Sequence, residues 1–304
     1  MFGFGKKIKL VTHDGSFHTD DIFACAVLCL VLEKNNEKFE VIRTRNEEII
    51  NSADYVFDVG GVHNEETNRF DHHQIGGAGK RYDEVGIEYA SFGLVWKKYG
   101  LVLCETQKAF DLIDKKLAAP IDAWDNGFDL VTNKYREYSP YFLQHIFFSM
   151  EPTWCEDKSS DKVFLECVDI AKVILSREII HIHDAILAEE SVLEVYNKSK
   201  DKRIIILDRG YPFQHILQNF SEPLYVIYPR KNADWGVKAV KDDPKTFKNR
   251  KDFPASWGGK RGVELSEITG VSDAIFCHKG LFLSVAKSKV GAIKLAEIAL
   301  ESKE

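Results

Sequence analysis

Acidic and histidine residues gather in a few short stretches of the N-terminal half: His13 and Asp14, then His18, Asp20 and Asp21, then Asp58, and last Asp71, His72 and His73. Carboxylates and neutral imidazoles are ligands for Mn²⁺, Mg²⁺ and Zn²⁺. So many carboxylates in one cleft would repel one another unless cations neutralised them. Two cations roughly 3.5–4 Å apart, bridged by a carboxylate such as Asp58, would activate a water and stabilise both oxygens of a phosphoryl displacement. A single aspartate at a strand end is more often a cap or turn residue, and Thr19 or Asp20 is placed to cap a helix. Three strand ends that each carry a ligand type point instead to a site. Rival motifs are weak. The run Gly76-Gly77-Ala78-Gly79-Lys80-Arg81 lacks the G-x-x-x-x-G-K-[ST] spacing, and G-x-S-x-G, H-E-x-x-H and G-x-G-x-x-G do not occur.

The elements that must position these residues alternate. Lys7 to Thr12 reads as a strand, Asp20 to Glu33 as a helix apolar nearly all round, Phe39 to Thr44 as a strand and Glu47 to Ser52 as a short helix. Tyr55 to Val59 and Arg69 to Asp71 read as further strands. This order predicts a parallel sheet, and ligands bind beyond the carboxyl ends of such strands. Helices are expected at 87–99 and 105–119, with a break at Pro120, and a long helix over 162–196. From Arg203 the pattern changes to short strands at 204–207, 224–228, 236–240, 274–278 and 281–285. Helices are expected among them at 213–219, 264–269 and 290–300. Two domains are expected: 1–198, metal-binding with a helical extension, and 199–304, a smaller α/β (α+β) domain.

The 304 residues carry a net charge of −6. The stretch from Arg230 to Arg261 is +6, with ten Lys/Arg against four Asp, so the remainder is −12. An acidic body with one basic stretch suits a metal site plus a region that grips anions, although a solvated lysine-rich loop has the same composition. The six cysteines form no C-x-x-C and read as reduced, buried thiols. No apolar run is long enough to span a bilayer and no secretory signal is evident, so a cytoplasmic location without membrane association is expected. A homodimer is left open.

The runs T-H-D-G-S-F-H-T-D-D (12–21), F-D-V-G-G (57–61), R-F-D-H-H-Q (69–74) and D-A-W-D-N-G (122–127) resemble the four metal motifs of the DHH phosphoesterases. More closely they resemble the Myg-one (melanocyte-proliferating gene one) family, whose members include a 3′→5′ RNA exonuclease of eukaryotic organelles. Later runs also look familial: 151–154, 228–240, 256–259 and 277–280. The resemblance implies a parallel-sheet α/β DHH-type domain followed by a substrate-binding domain. It implies that His13 and His18 bind one metal, that Asp20 and His72 bind a second, and that Asp58 bridges them. Asp71 would orient His72, and His73 would face the phosphate. Asp122 or Asp125 would complete the second metal, with Asp125 preferred. In the wider superfamily an aspartate usually stands where His18 does here. The exchange lowers the negative charge and favours Mn²⁺ over Mg²⁺, with Zn²⁺ a further alternative.

The resemblance also gives the basic stretch a purpose. Arg230, Lys231, Arg250, Lys251, Lys260 and Arg261 would contact phosphates, and Trp235, Phe253 and Trp257 would stack bases. Gly258 and Gly259 would bring backbone amides to an anion, with His278 nearby. The reaction expected is hydrolysis of single-stranded RNA or DNA from an end by metal-activated water, with Asp58, His72 and His73 at its centre. A phosphatase for pyrophosphate or a (cyclic) dinucleotide shares the same metals. A metal-containing regulatory or nucleic-acid-binding protein without turnover is the alternative of another class.

Overall fold

A computed structural model of the chain describes residues 6–82, 85–243 and 246–303. It divides into two units, 1–182 and 183–304. The division falls inside one long helix, before the boundary expected at 198/199.

The first unit opens β1 (Ile8–Thr12), α1 (Thr19–Lys34), β2 (Phe39–Arg43), α2 (Glu47–Ser52) and β3 (Tyr55–Phe57). β4 (His63–Asn64) and β5 (Arg69–Phe70) follow. The sheet order is β2-β1-β3-β5-β4, parallel except for the edge strand β4. A helix apolar on all sides must be covered on all sides, and α1 is buried through most of its length. Its Phe23 packs between Phe92, at 5.2 Å, and Phe147, at 6.0 Å. β3 stops at Phe57 rather than Val59 because Asp58 turns into the left-handed region, φ +55°.

Helices complete the unit: α3 (Ser91–Cys104), α4 (Gln107–Ile113), α5 (Ala119–Asp125), α6 (Leu143–Phe148) and the start of α7 (Ser160–Lys198). α3 begins later than expected. The amide of Arg81 donates to the Ile87 carbonyl and Lys80 pairs with Glu88, which keeps 87–88 extended. Pro120 does not break the chain's helical course. A π-turn over Asp114–Ala118 precedes it, and Pro120 sits in the first turn of α5. The wider turn absorbs the missing N–H and the ring that would disrupt an unbroken α-helix.

The second unit holds the remainder of α7, then β6 (Ile204–Ile206), α8 (Gln214–Leu217), β7 (Tyr225–Pro229) and β8 (Trp235–Ala239). α9 (Gly262–Thr269), β9 (Ala274–Cys277), β10 (Leu283–Ala286) and α10 (Lys289–Glu301) close it. The strands lie in the order β6-β7-β8-β10-β9, with only β6 and β7 parallel. β10 starts after Leu281 because that residue is left-handed, φ +55°. The core between sheet and helices contains Tyr225, Phe253, Trp257, Leu265 and Leu295. All six cysteines are free thiols. Cys155 is exposed, against expectation, because it lies in an open stretch before α7.

Candidate metal centre

Sheet register brings the first ligand candidates together. Leu10 pairs with Tyr55 and Val11 with Val56, while Val56 pairs with Arg69 and Phe57 with Phe70. Continuing these registers past the strand ends sets His13 level with Asp58, and Asp58 level with Asp71. Parallel neighbours lie about 4.8 Å apart, so the side chains meet. His13 Nε2 is 3.1 Å from Asp58 Oδ2 and 3.3 Å from Asp21 Oδ2. Its Nδ1 lies 2.9 Å from the Asp14 carbonyl, which fixes the ring. His72 Nε2 lies 3.4 Å from Asp58 Oδ1, 3.2 Å from Asp125 Oδ2 and 3.9 Å from Asp20 Oδ2. Asp58 therefore stands between two imidazoles. Its Oδ1 also accepts a hydrogen bond from the Ser91 hydroxyl at 3.1 Å.

The start of α1 supplies a second set. His18 is its N-cap, and Asp21 Oδ1 accepts from the His18 amide at 3.0 Å. His18 Nδ1 reaches Asp125 Oδ1 at 3.9 Å. Three overlapping groups each place their donor atoms within 4.8 Å of one another: His13, His18 and Asp58; Asp58, His72 and His73; His18, Asp20 and Asp125. Both oxygens of Asp20 are buried and accept no hydrogen bond among the described residues. A carboxylate in that position is costly unless something cationic meets it. The donor set is oxygen and imidazole nitrogen without thiolate, which suits a hard or borderline divalent cation. These residues fit a divalent metal ion.

Electrostatics carry the same signature. Burial disfavours the charged form of His13, but Asp21 and Asp58 outweigh it and push its pKa up to about 10. At His72, burial is likewise overcome by Asp125 and Asp58, again reaching about 10. Burial would raise Asp58, yet the two imidazoles hold it below the ordinary carboxylate range. Asp20 is raised well above that range by burial, then by the charges of Asp58, Asp125 and Asp21. In the metal-free protein, protons on imidazoles balance crowded carboxylates. A divalent cation would take over that balance and release them.

Asp71 orients a different histidine from the one expected. Its Oδ1 accepts from the His73 amide at 3.1 Å and lies 2.8 Å from His73 Nδ1, and its Oδ2 accepts from the Gly61 amide at 2.6 Å. Gly61, φ +67°, allows that turn. His72, whose Nε2 faces Asp58 and Asp125, is not its partner. His73 is 60% exposed, at the mouth of the cluster, and the Asp71 bond raises its pKa.

Asp122 stands apart from the gathered groups. Its Oδ2 accepts from Arg81 Nη1 at 2.7 Å and its Oδ1 from the Gly93 amide at 3.0 Å. Arg81 also holds both oxygens of Asp114, in the π-turn, at 3.0 Å. Burial pushes Asp122 up to about 7 in spite of Arg81. Of the two aspartates of the fourth motif, Asp125 faces the cluster. Sequence reading missed Ser91 and Arg81, and left Asp21 without a role. The Asp20-Asp21 tandem at a helix start was a signal for the last; the others had none.

In the second unit several expected substrate contacts are committed elsewhere. Trp257 is 2% exposed and stacks on Phe253 in the core, so neither has a face for a base. Arg250 donates to the carbonyls of Phe220, Pro223 and Gln218, which ties down a loop. Lys251 holds the Ser302 carbonyl. The Gly258 and Gly259 amides donate to Ala255 and Cys277, so they are not open to an anion. Lys260 pairs with Glu264 at 3.4 Å, and Arg261 covers the Phe276 ring. His278 Nδ1 accepts from the Gly280 amide. Lys289 lies over the Trp235 ring. Arg230 and Lys231 are exposed, and Lys245 lies outside the described residues.

Among the described residues no helix is long and apolar enough to cross a membrane. The family described as Uncharacterised protein family (UPF0160), MYG1 exonuclease, matches residues 9–300. The chain is 28% identical to the mouse MYG1 exonuclease over 327 residues, covering 96% of this chain and 84% of that protein. It is 27% identical to a Schizosaccharomyces pombe MYG1 protein over 330 residues, covering 97% and 98%. A Chlamydia pneumoniae MYG1 protein is 28% identical over 300 residues, covering 96% of each. A match that runs through the strand ends carrying His13, Asp58 and His72 and on through the second unit places the chain in the MYG1 exonuclease family.

Proposed function

We propose that the chain is a metal-dependent phosphoesterase of the DHH type that acts as a 3′→5′ exonuclease on single-stranded RNA or DNA. The observation that carries this reading is Asp58, a buried carboxylate in a left-handed backbone position, held between His13 and His72. Backbone strain of this kind persists where the surroundings over-determine it, which is common at functional sites. Relatives named exonucleases support the choice of substrate class. Divalent cations, of which Mn²⁺ is the first candidate, would supply Lewis acidity and lower the pKa of water. His13, His18, Asp20, Asp58, His72 and Asp125 would hold them. Asp71 fixes His73 at the mouth, where its imidazolium would hold a phosphate oxygen. Ser91 keeps Asp58 in place. Arg230 and Lys231, both exposed, would meet backbone phosphates.

A phosphatase for small phosphate esters remains the second reading, favoured by one finding: the burial of Trp257 and the tethering of Arg250 remove much of the base- and phosphate-gripping surface expected in the second unit. Incubation of the full chain and Mn²⁺ with end-labelled RNA, DNA and pyrophosphate separates the two. Stepwise shortening of an oligonucleotide, abolished by a chelator and restored by Mn²⁺, is expected. Fast phosphate release from pyrophosphate with inert oligonucleotides would overturn the exonuclease.

A further inference from the structure

Beside the candidate metal centre, within the first unit, α5, α6 and the segment joining them enclose a cavity of about 530 Å³. One wall is aromatic. The Trp124 ring lies 5.3 Å from Phe142 and 5.2 Å from His145, and Phe142 and His145 stack at 5.8 Å with 26° between their planes. Phe128 lines the cavity as well, and both it and Trp124 remain broadly exposed. The phenylalanine amide at 142 donates to His145 Nδ1 at 2.8 Å, so this ring is held in place.

A different observation points to a ligand. Gln144 lines the cavity, and its amide makes no hydrogen bond to another described residue and is not among the fully buried polar groups, so it stays open to an occupant. An open, unpaired amide beside aromatic faces is placed to donate to and accept from the polar edge of an occupant. The chemistry of that occupant can be narrowed. The one lysine in the lining, Lys116, is paired with Glu178 at 2.5 Å, so the cavity offers no free cation for a phosphate. Aromatic faces with the amides of Gln144 and Asn133, the Ser139 hydroxyl and the Asp129 carboxylate, which donate and accept, suit a flat heterocycle with polar edges rather than an anion. Its volume lies in the range of small-ligand sites, about 300–1,000 Å³.

Its location ties it to the metal centre from two sides. Trp124 directly precedes Asp125 on α5. α6, which supplies Gln144 and His145, also sets Phe148 against His18 at 6.2 Å. We infer that this cavity receives a nucleobase of the strand whose phosphate lies at the His13–Asp58–His72 cluster. This rests on the phosphoesterase reading for the phosphate but not for the base. Trp124 stacks on the base face, and Gln144 meets its edge. Stacking of this kind tolerates any base.

The test is binding rather than turnover. The full chain in EDTA is titrated with a fluorescent single-stranded oligonucleotide and with an abasic strand of equal length, read by anisotropy. Wild type is expected to prefer the base-bearing strand at least fivefold. Trp124→Ala should weaken that strand by about five- to a hundredfold and erase the preference, with Trp124→Phe restoring most of it. Gln144→Leu, which keeps volume, should weaken it less. Equal affinity of wild type for both strands, no binding of either, or an unaltered preference in Trp124→Ala overturns the inference. So does a parallel fall of Mn²⁺ affinity in Trp124→Ala, because the residue would then act only through Asp125. Circular dichroism of each variant identifies misfolding, and the Gln144→Leu and Trp124→Phe proteins carry the test if Trp124→Ala does not fold. Base preference in a protein that cleaves no strand with Mn²⁺ would leave the cavity standing and sink the nuclease.

Discussion

Asp58 concentrates the most chemistry in one residue, because two imidazoles and a hydroxyl converge on its carboxylate. Asp58→Asn keeps the shape and removes the charge. Activity should fall by more than about 100-fold, the upper end for loss of a mere outer partner of a metal site. The Tm of the metal-free protein should move by only a few degrees. Initial rates with Mn²⁺ and a thermal melt check both, and unfolding without loss of specific activity would make the residue structural. Asp71→Asn is a milder case. It weakens the hold on His73 while sparing the cluster, so a drop of about 10–100-fold in kcat with Mn²⁺ affinity retained is expected, measured by metal titration beside steady-state kinetics. At this scale the sequence was largely legible. His13, Asp58 and His72 could be grouped because each ends or follows an apolar strand, and parallel strands share one edge. Asp122 and Asp125 could not be told apart. They lie three residues apart on one helix, and what separates them is Arg81, forty-one positions upstream of Asp122.

Among the elements, α3 and α5 show how closely the scaffold is set. Gly93 is at the start of α3, and a Cβ added there would come within 1.8 Å of Asp122 Oδ2 and 2.9 Å of Arg81 Nη2. Both neighbours are buried, so neither can move aside cheaply. Gly93→Ala is expected to cost about 1–3 kcal/mol, the usual range for overpacking, measured by denaturant unfolding. A neutral result would mean that α3 slides freely against α5. Arg81→Met is expected to be worse, about 3–5 kcal/mol, because it leaves Asp122 buried without its cation. α1 was legible because a fully apolar helix has one solution, complete burial. Pro120 misled for an equally physical reason. A proline normally ends a helix, and nothing local in the sequence announces that a π-turn will precede it. The ends of β3 and β10 were set one or two residues off by left-handed Asp58 and Leu281, which residue preference disfavours.

For the whole chain, proton and metal balance join stability to pH. His13 and His72 have folded-state pKa values pushed up to about 10, against about 6.5 in an unfolded chain. Their contribution to the metal-free fold is therefore complete below pH 6.5 and is lost as pH rises towards 10. A divalent cation competes with those same protons, so its affinity should climb across the same window. Mn²⁺ at about 100 times its Kd adds about 2.7 kcal/mol to stability, which is about 5–10 °C in Tm for a unit of this size. The Tm gain at fixed Mn²⁺ should accordingly be smallest near pH 6.5 and grow towards pH 8.5. Calorimetric titration at pH 7 should register proton release that varies with the ionisation enthalpy of the buffer. Thermal melts with Mn²⁺ and with EDTA across this range measure the slope directly. A gain that stays flat, or shrinks as pH rises, would place the cation away from these histidines. The cluster would then be an ion network of imidazolium and carboxylate, sufficient in itself and needing no metal.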